Sequence, residues 1–381
     1  MTKYFDYNAS TPIDPEVLEC MIEAYKASYG NADSRTHSHG KAAREVIETA
    51  RGQVSALVGC DKSEVIFTSG ATESSNTAIL GVRKWGEANK KTHIVATSIE
   101  HKATLEPIRW LEDDEQFRVA THINPDSSGR IKANEVIAAI RSETLLVTIQ
   151  HINNETGIIQ PIEEIGAYCK KKGILFHIDA AQSLGKLVEE VQRLDYDMMS
   201  ISGHKMYAPQ GIGALILRKK NYKKPPLTPL LMGGGQEWGM RAGTMPIALI
   251  VGFGKACELA LGCYKEWNAH YTKIKEQILA KLKASGLNYI INGDQNHCVS
   301  NTLNVSFIGV NSEALMIAMK DYCSLANGSA CTSKDYSHSY VLKAMGLNEE
   351  ITQSAIRLSW GKDSDASAID KIIEMVKFMT L

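Results

Sequence analysis

The 381 residues hold no CxxC pair, no excess of charge of either sign, no low-complexity tract and no internal repeat. Each absence removes a class of reading. Eight cysteines occur, at Cys20, Cys60, Cys169, Cys257, Cys263, Cys298, Cys323 and Cys331. Without paired spacing they lend no support to a zinc site or a thioredoxin-like redox pair. In a reducing compartment such scattered thiols serve as small buried apolar side chains. Only Cys331, within Asn327-Gly328-Ser329-Ala330-Cys331-Thr332-Ser333, has surroundings that suit another use. A formal net charge of -1 leaves no global field for nucleic acid or a membrane surface. Met1-Thr2-Lys3-Tyr4-Phe5-Asp6 lacks the charged-then-apolar order of a signal peptide, and no apolar run is read as reaching a membrane span. The expected location is the cytoplasm. Two histidines in the loop 29–40, His37 and His39, have no third ligand nearby, so no metal site is expected.

What is present is alternation. Asp14-Pro15 starts a helix through Val17, Leu18, Met21, Ile22 and Tyr25, and a longer helix carries Ala43 to Val58. Short apolar strands follow at 65–67, 93–97, 144–149, 174–178 and 198–201, separated by helical stretches from Gly70, over 103–111 and over 162–172. Continuous apolar strands between helices imply an α/β fold with a mostly parallel sheet covered on both faces. After Gly243-Thr244 the character changes: residues 247–285 read as one long helix, and 301–307 as a half-buried strand in a smaller α+β unit. The expected division is a large domain over 16–250 and a small one from 1–15 with 251–381.

Polar groups collect at the carboxyl ends of the strands, where an open α/β sheet binds its ligands. Ser202-Gly203-His204-Lys205 follows the strand at 198–201. A sheltered lysine costs several kcal/mol, roughly, unless paired or neutralised, and one use of that cost is Schiff-base chemistry with an aldehyde. Thr68-Ser69-Gly70-Ala71-Thr72-Glu73 opens a helix whose free N–H groups suit a phosphate, or serves as a plain N-cap. Asp179, ending His177-Ile178-Asp179, is a sheltered carboxylate that would suit a pyridinium nitrogen, or caps the next helix. His101 could stack on a flat ring or transfer protons, and Asn153-Asn154-Glu155 could bond a ring edge or a substrate carboxylate. Each is weak alone. Together they form the set that handles pyridoxal phosphate, with Lys205 as the cofactor lysine.

The motifs also resemble the cysteine desulfurases of the aminotransferase class V group, close to the nitrogen-fixation and iron–sulfur-cluster types. Likeness covers nearly the whole chain, from Asp6-Tyr7-Asn8-Ala9-Ser10-Thr11-Pro12 through Ser69-Gly70-Ala71-Thr72-Glu73-Ser74, Gly233-Gly234-Gly235-Gln236-Glu237 and Arg241-Ala242-Gly243-Thr244 to the Cys331 segment. The resemblance implies a fold type I pyridoxal-phosphate enzyme with a seven-stranded type of sheet, acting as a homodimer. Carried over to this chain, it assigns Lys205 to the Schiff base, Asp179 to the pyridine nitrogen and Gln182 to the ring hydroxyl. Ala71, Thr72, Ser202 and His204 would hold the phosphate, and Thr244 would reach the neighbouring subunit's phosphate. His101 would stack on the ring and move protons; Asn154 and Arg357 would bind the substrate, L-cysteine, near its carboxylate. Cys331 would take up sulfur as a persulfide and pass it to an acceptor protein, while Cys323 is read as structural.

Two departures from the family pattern stand out. Ala326-Asn327 replaces two serines usual in housekeeping members, and the chain ends at Leu381 where those members carry a scaffold-docking tail. The expectation is a specialised desulfurase, serving a pathway such as DNA phosphorothioation or thiolation. The alternatives are a housekeeping cluster desulfurase, a selenocysteine lyase, a class V aminotransferase and a catalytically silent binding partner.

Overall fold

A computed structural model describes residues 2–113, 119–328 and 339–380. The chain opens with β1 (Lys3–Tyr4). Seven strands then build the central sheet: β2 (Val65–Thr68), β3 (His93–Thr97), β4 (Val119–Ile123), β5 (Thr144–Gln150), β6 (Leu175–Asp179), β7 (Met198–Ser202) and β8 (Gly213–Leu217). Their order is β2-β8-β7-β6-β5-β3-β4, and β8 runs antiparallel to both of its neighbours. Helices cover both faces, as the near-continuous burial of these strands requires. The architecture agrees with the α/β, mostly parallel fold expected from the sequence. Two strands go beyond that expectation. β4 pairs with β3 at the sheet edge, and β8 is a short apolar run whose direction depends on its partners.

Buried histidines peg the sheet from within. His177 on β6 links Thr148 Oγ1 on β5 and Ser200 Oγ on β7, each at 2.8 Å. Burial pushes its imidazole down to about 3, so it stays neutral. A polar residue inside an apolar strand is here a cross-strand link.

Four further strands, β9 (Tyr289–Ile291), β10 (Thr302–Phe307), β11 (Cys323–Ser324) and β12 (Ala355–Ser359), follow in the chain. β12-β10-β9 form an antiparallel sheet, and β11 pairs with β1. β10 is buried on both faces, where its alternation predicts a half-buried strand. Cys323 is buried and its thiol is pushed up to about 12 by desolvation, in keeping with a structural role.

The helix Ile247–Ser285 is long and apolar enough, by length and composition, to cross a membrane, which corrects the expectation that no run reaches a span. Its apolar residues are used inside the protein. Ile250, Phe253 and Ala256 join the core under the central sheet, while Tyr271, Ile274, Ile278 and Leu282 join a second core with β10 and β12. Gly286 closes it in the left-handed region at φ 73. In the first helix, Pro15–Ala27, only Val17, Met21 and Ala24 are buried; Leu18, Ile22 and Tyr25 face outward.

Candidate active site

The carboxyl ends of β5, β6 and β7 open into a cavity of about 570 Å³. Ala71, Thr72, His101, Asn154, Asp179, Gln182, Ser202, His204, Lys205 and Arg357 all line it. Ten residues spread over almost three hundred positions thus meet in one space. Thr244 does not line this cavity and is exposed. Cys331 lies outside the described residues.

Lys205 sits in a 3-10 turn, Gly203–Lys205, directly after β7. It is half-buried, and its Nζ donates to the carbonyls of Asn8 and Ala9 at 2.7 and 2.8 Å. The N-terminal segment is therefore part of the site: Thr11 N–H also bonds His204 O at 2.8 Å. Asn8 further donates to Asn154 O at 3.2 Å and Thr302 Oγ1 at 2.9 Å, tying the central sheet to the small one. In the sequence this segment carries only a family likeness, because nothing local says where it packs.

Asp179 is the last residue of β6 and is buried. Burial raises its carboxyl, opposed chiefly by the charge of His101, and Ala181 N–H at 3.0 Å is a weak compensation. His101 caps the helix Lys102–Glu112, with Nδ1 accepting from Ala103 N–H at 3.1 Å. Desolvation lowers its imidazole, and Lys205 adds to the effect against Asp179. With Nδ1 accepting from Ala103 N–H, Nε2 is the ring nitrogen that carries the proton. Behind it Glu100 is fully buried and raised to about 8 by desolvation; Thr97 Oγ1 bonds one carboxyl oxygen at 2.6 Å.

At the far side, Gly70 has φ 150 and no side chain caps the helix Ala71–Gly81 that follows. Its first N–H groups, the Ser202 hydroxyl and the His204 ring, 3.3 Å apart, make a cradle for an anion. Burial, reinforced by Lys205, pushes His204 down to about 4. Arg241 holds Glu73 in the same helix at 3.0 Å.

Gln182 turns its Nε2 to Asn8 O at 2.9 Å and receives Lys186 Nζ on Oε1 at 3.0 Å. Burial, then the cations Lys205 and Arg357, push Lys186 down to about 7. Lys186 belongs to none of the sequence motifs; its spacing of four from Gln182 is the one signal that points to it. Arg357, on β12, reaches across to Asn154 O at 2.9 Å and to Asp6 Oδ1 at 2.6 Å. The Asn154 side-chain oxygen is buried and has no hydrogen-bond partner among the described residues. A buried amide oxygen without a partner on a cavity wall suits a ligand donor.

These features fit pyridoxal phosphate: a lysine amine, a buried carboxylate, an anion cradle and a flat imidazole ring share one cavity. Comparison with known proteins agrees. Residues 3–372 match the aminotransferase class-V model, and the chain belongs to that family. It is similar to the cysteine desulfurase IscS of Shewanella sp. (strain MR-4), 45% identical over 376 residues, covering 98% of this chain and 91% of that protein. Among solved structures it resembles a NifS-like protein, with a TM-score of 0.90 and 34% identity over 100% of this chain and 99% of the other. It also resembles DndA from Streptomyces lividans, with a TM-score of 0.81 and 38% identity over 93% and 98% of the two chains.

Proposed function

We propose that the chain is a pyridoxal-phosphate-dependent cysteine desulfurase that converts L-cysteine to L-alanine and leaves the sulfur as a persulfide on Cys331. The observation that carries this reading is the convergence of Lys205, Asp179 and His101 with an anion cradle and Arg357 on one cavity. Bound there, pyridoxal phosphate supplies an aldehyde for amines and a ring that accepts electrons. Lys205 would be the amine that holds the cofactor. Asp179 would meet the ring nitrogen, Gln182 the ring hydroxyl, and Ala71, Thr72, Ser202 and His204 the phosphate. Arg357 and Asn154 orient the substrate carboxylate. His101 would stack on the ring, and with Nδ1 accepting from Ala103 N–H its Nε2 would be the nitrogen that moves a proton. The Cys331 thiolate attacks the substrate sulfur: the S–S bond forms, the Cβ–S bond breaks, and Cβ takes up a proton to become the methyl group of alanine.

Mass spectrometry after incubation with L-cysteine tests this. A one-sulfur gain on the Cys331 peptide with release of alanine is expected. Turnover that is unchanged in Cys331→Ala would favour an aminotransferase instead.

A homodimer with shared sites belongs to the same proposal. Thr244 is exposed and outside its own cavity, and Leu18, Ile22 and Tyr25 form an exposed apolar stripe at helical spacing. A cytoplasmic location and two domains, 16–250 and 1–15 with 251–381, belong to the same proposal; two hydrophobic cores support two domains, while Phe253 and Ala256, beyond the boundary at 250, pack into the core of the large one. For the pathway, a specialised role is the proposal, with the housekeeping role as its alternative. Ala326, in the Ala326-Asn327 departure, is buried and pairs with the backbone of Arg357, so it bears on the substrate side of the site.

A further inference from the structure

Glu155 is a buried carboxyl in the Asn153-Asn154-Glu155 turn for which the proposed reaction has no use. Burying a carboxyl costs several kcal/mol, roughly, unless its contacts repay it, so its contacts are informative. Ser339 Oγ donates to Glu155 Oε2 at 2.5 Å. The same hydroxyl accepts Leu342 N–H at 3.0 Å and caps the helix Tyr340–Ala344. Gly328 packs against that carboxylate oxygen so closely that an added Cβ would collide with it, and would stand 2.6 Å from Ser339 Cβ. One carboxylate oxygen therefore touches both Gly328 and Ser339, the residues on either side of 329–338.

The rest of Glu155 is fixed to the substrate side. Its N–H bonds Asn153 Oδ1 at 2.9 Å, and its carbonyl accepts from Asn304 Nδ2 on β10 at 3.2 Å. The adjoining Asn154 carbonyl takes Arg357 Nη1 at 2.9 Å, and Arg357 N–H bonds Ala326 O at 2.6 Å, two residues before Gly328. Two attachments to Glu155 and one to Arg357 thus bind the flanks of the cysteine segment to the cavity wall and the residue beside it.

We propose that Glu155 is a positioning residue: it fixes the two ends of the segment carrying Cys331 relative to Asn154 and Arg357, so that the thiol is delivered in register with bound substrate. The inference rests on the reading of Cys331 as the sulfur acceptor. A residue that acts this way affects the sulfur step and leaves substrate binding alone.

The test compares Glu155→Ala and Glu155→Gln holoenzymes with the parent. Three quantities are measured: the cofactor absorbance change on adding L-cysteine, the rate of persulfide formation on Cys331 by mass spectrometry, and hydrogen exchange in residues 339–345. In Glu155→Ala the absorbance response stays within about twofold, persulfide formation falls about 100-fold, and exchange accelerates, since a misplacement near 1 Å costs on that order. Glu155→Gln, which keeps an acceptor oxygen for Ser339, recovers to within about tenfold of the parent rate. If Glu155→Ala does not fold, Ser339→Ala removes the same bond from its other end and shows the same split. Persulfide formation at the parent rate in the alanine variants overturns the proposal, as does an equal loss of the absorbance response. No persulfide on Cys331 in the parent enzyme would overturn the underlying reading itself.

Discussion

Glu237 lies in the Gly233-Gly234-Gly235-Gln236-Glu237 motif and pairs with Arg51, both side chains being almost fully buried at 3% and 4% exposure. The pair is bidentate, with Arg51 Nη2 to Oε1 at 2.7 Å and Nη1 to Oε2 at 2.9 Å. Glu237 Oε2 also accepts Phe67 N–H at 2.7 Å, and Arg51 Nη1 donates to Val65 O at 2.8 Å. The bonds hold the motif on β2, just ahead of the anion cradle. They also hold Glu237 and Trp238 in the left-handed region, at φ 49 and 54. Glu237→Ala would strand a buried guanidinium, a change that costs roughly 3–5 kcal/mol. Two compensations favour the lower end: Glu48 stays 2.9 Å from Arg51, and the rings of Phe67 and Trp238 each lie 4.7 Å from the guanidinium. We expect about 3 kcal/mol, read as a fall of roughly 5 °C in the thermal midpoint of the holoenzyme by calorimetry. Replacing both partners, Arg51→Met with Glu237→Leu, should recover only part of that loss: no charge is left buried, but Phe67 N–H and Val65 O lose their partners. A loss below about 1 kcal/mol in Glu237→Ala would mean that the pair behaves like an exposed one, and the reasoning would fail.

Three further outcomes are expected. His177 is held down to about 3 in the folded protein, so below the ordinary value of about 6.5 the unfolded chain binds its proton first. The stability it contributes is whole above that value and is lost as pH falls toward 3. Glu100, raised to about 8, acts with the opposite sign, so the test is a difference: the thermal midpoint of the parent minus that of His177→Gln should shrink steadily as pH falls from 6.5 to 4. Parallel curves would refute this. Arg357→Lys keeps the charge but loses the fork that spans Asp6 and Asn154, so KM for L-cysteine should rise about tenfold with the cofactor absorbance intact; an unchanged KM would remove Arg357 from substrate binding. Lys205→Ala should lose the absorbance of lysine-bound cofactor while its thermal midpoint without cofactor stays close to that of the parent. Retained absorbance would assign the cofactor to another amine.

Local chemistry makes much of this protein legible in its residues alone. The helices 162–172 and 247–285 are readable to the residue, because apolar periodicity ends in each case at a glycine, Gly173 or Gly286, that takes the left-handed conformation. Lys205 and Asp179 stand out as polar residues at the ends of apolar strands, a pattern that arises within a few neighbouring positions. Periodicity carries less where partners decide. β8 takes its direction from β2 and β7, and Leu18, Ile22 and Tyr25 are apolar yet exposed, which helical spacing cannot distinguish from a buried face.

The sequence by itself determined the alternating α/β order and which side chains stand at strand ends, since both follow from short-range spacing. Only the tertiary structure decided that Asn8 roofs Lys205, that Asp6 meets Arg357, and that Glu155 joins Gly328 to Ser339. Each of these contacts joins residues more than 150 positions apart in the chain. Their geometry depends on how the two cores pack along the helix Ile247–Ser285, and no local pattern of residues encodes that packing.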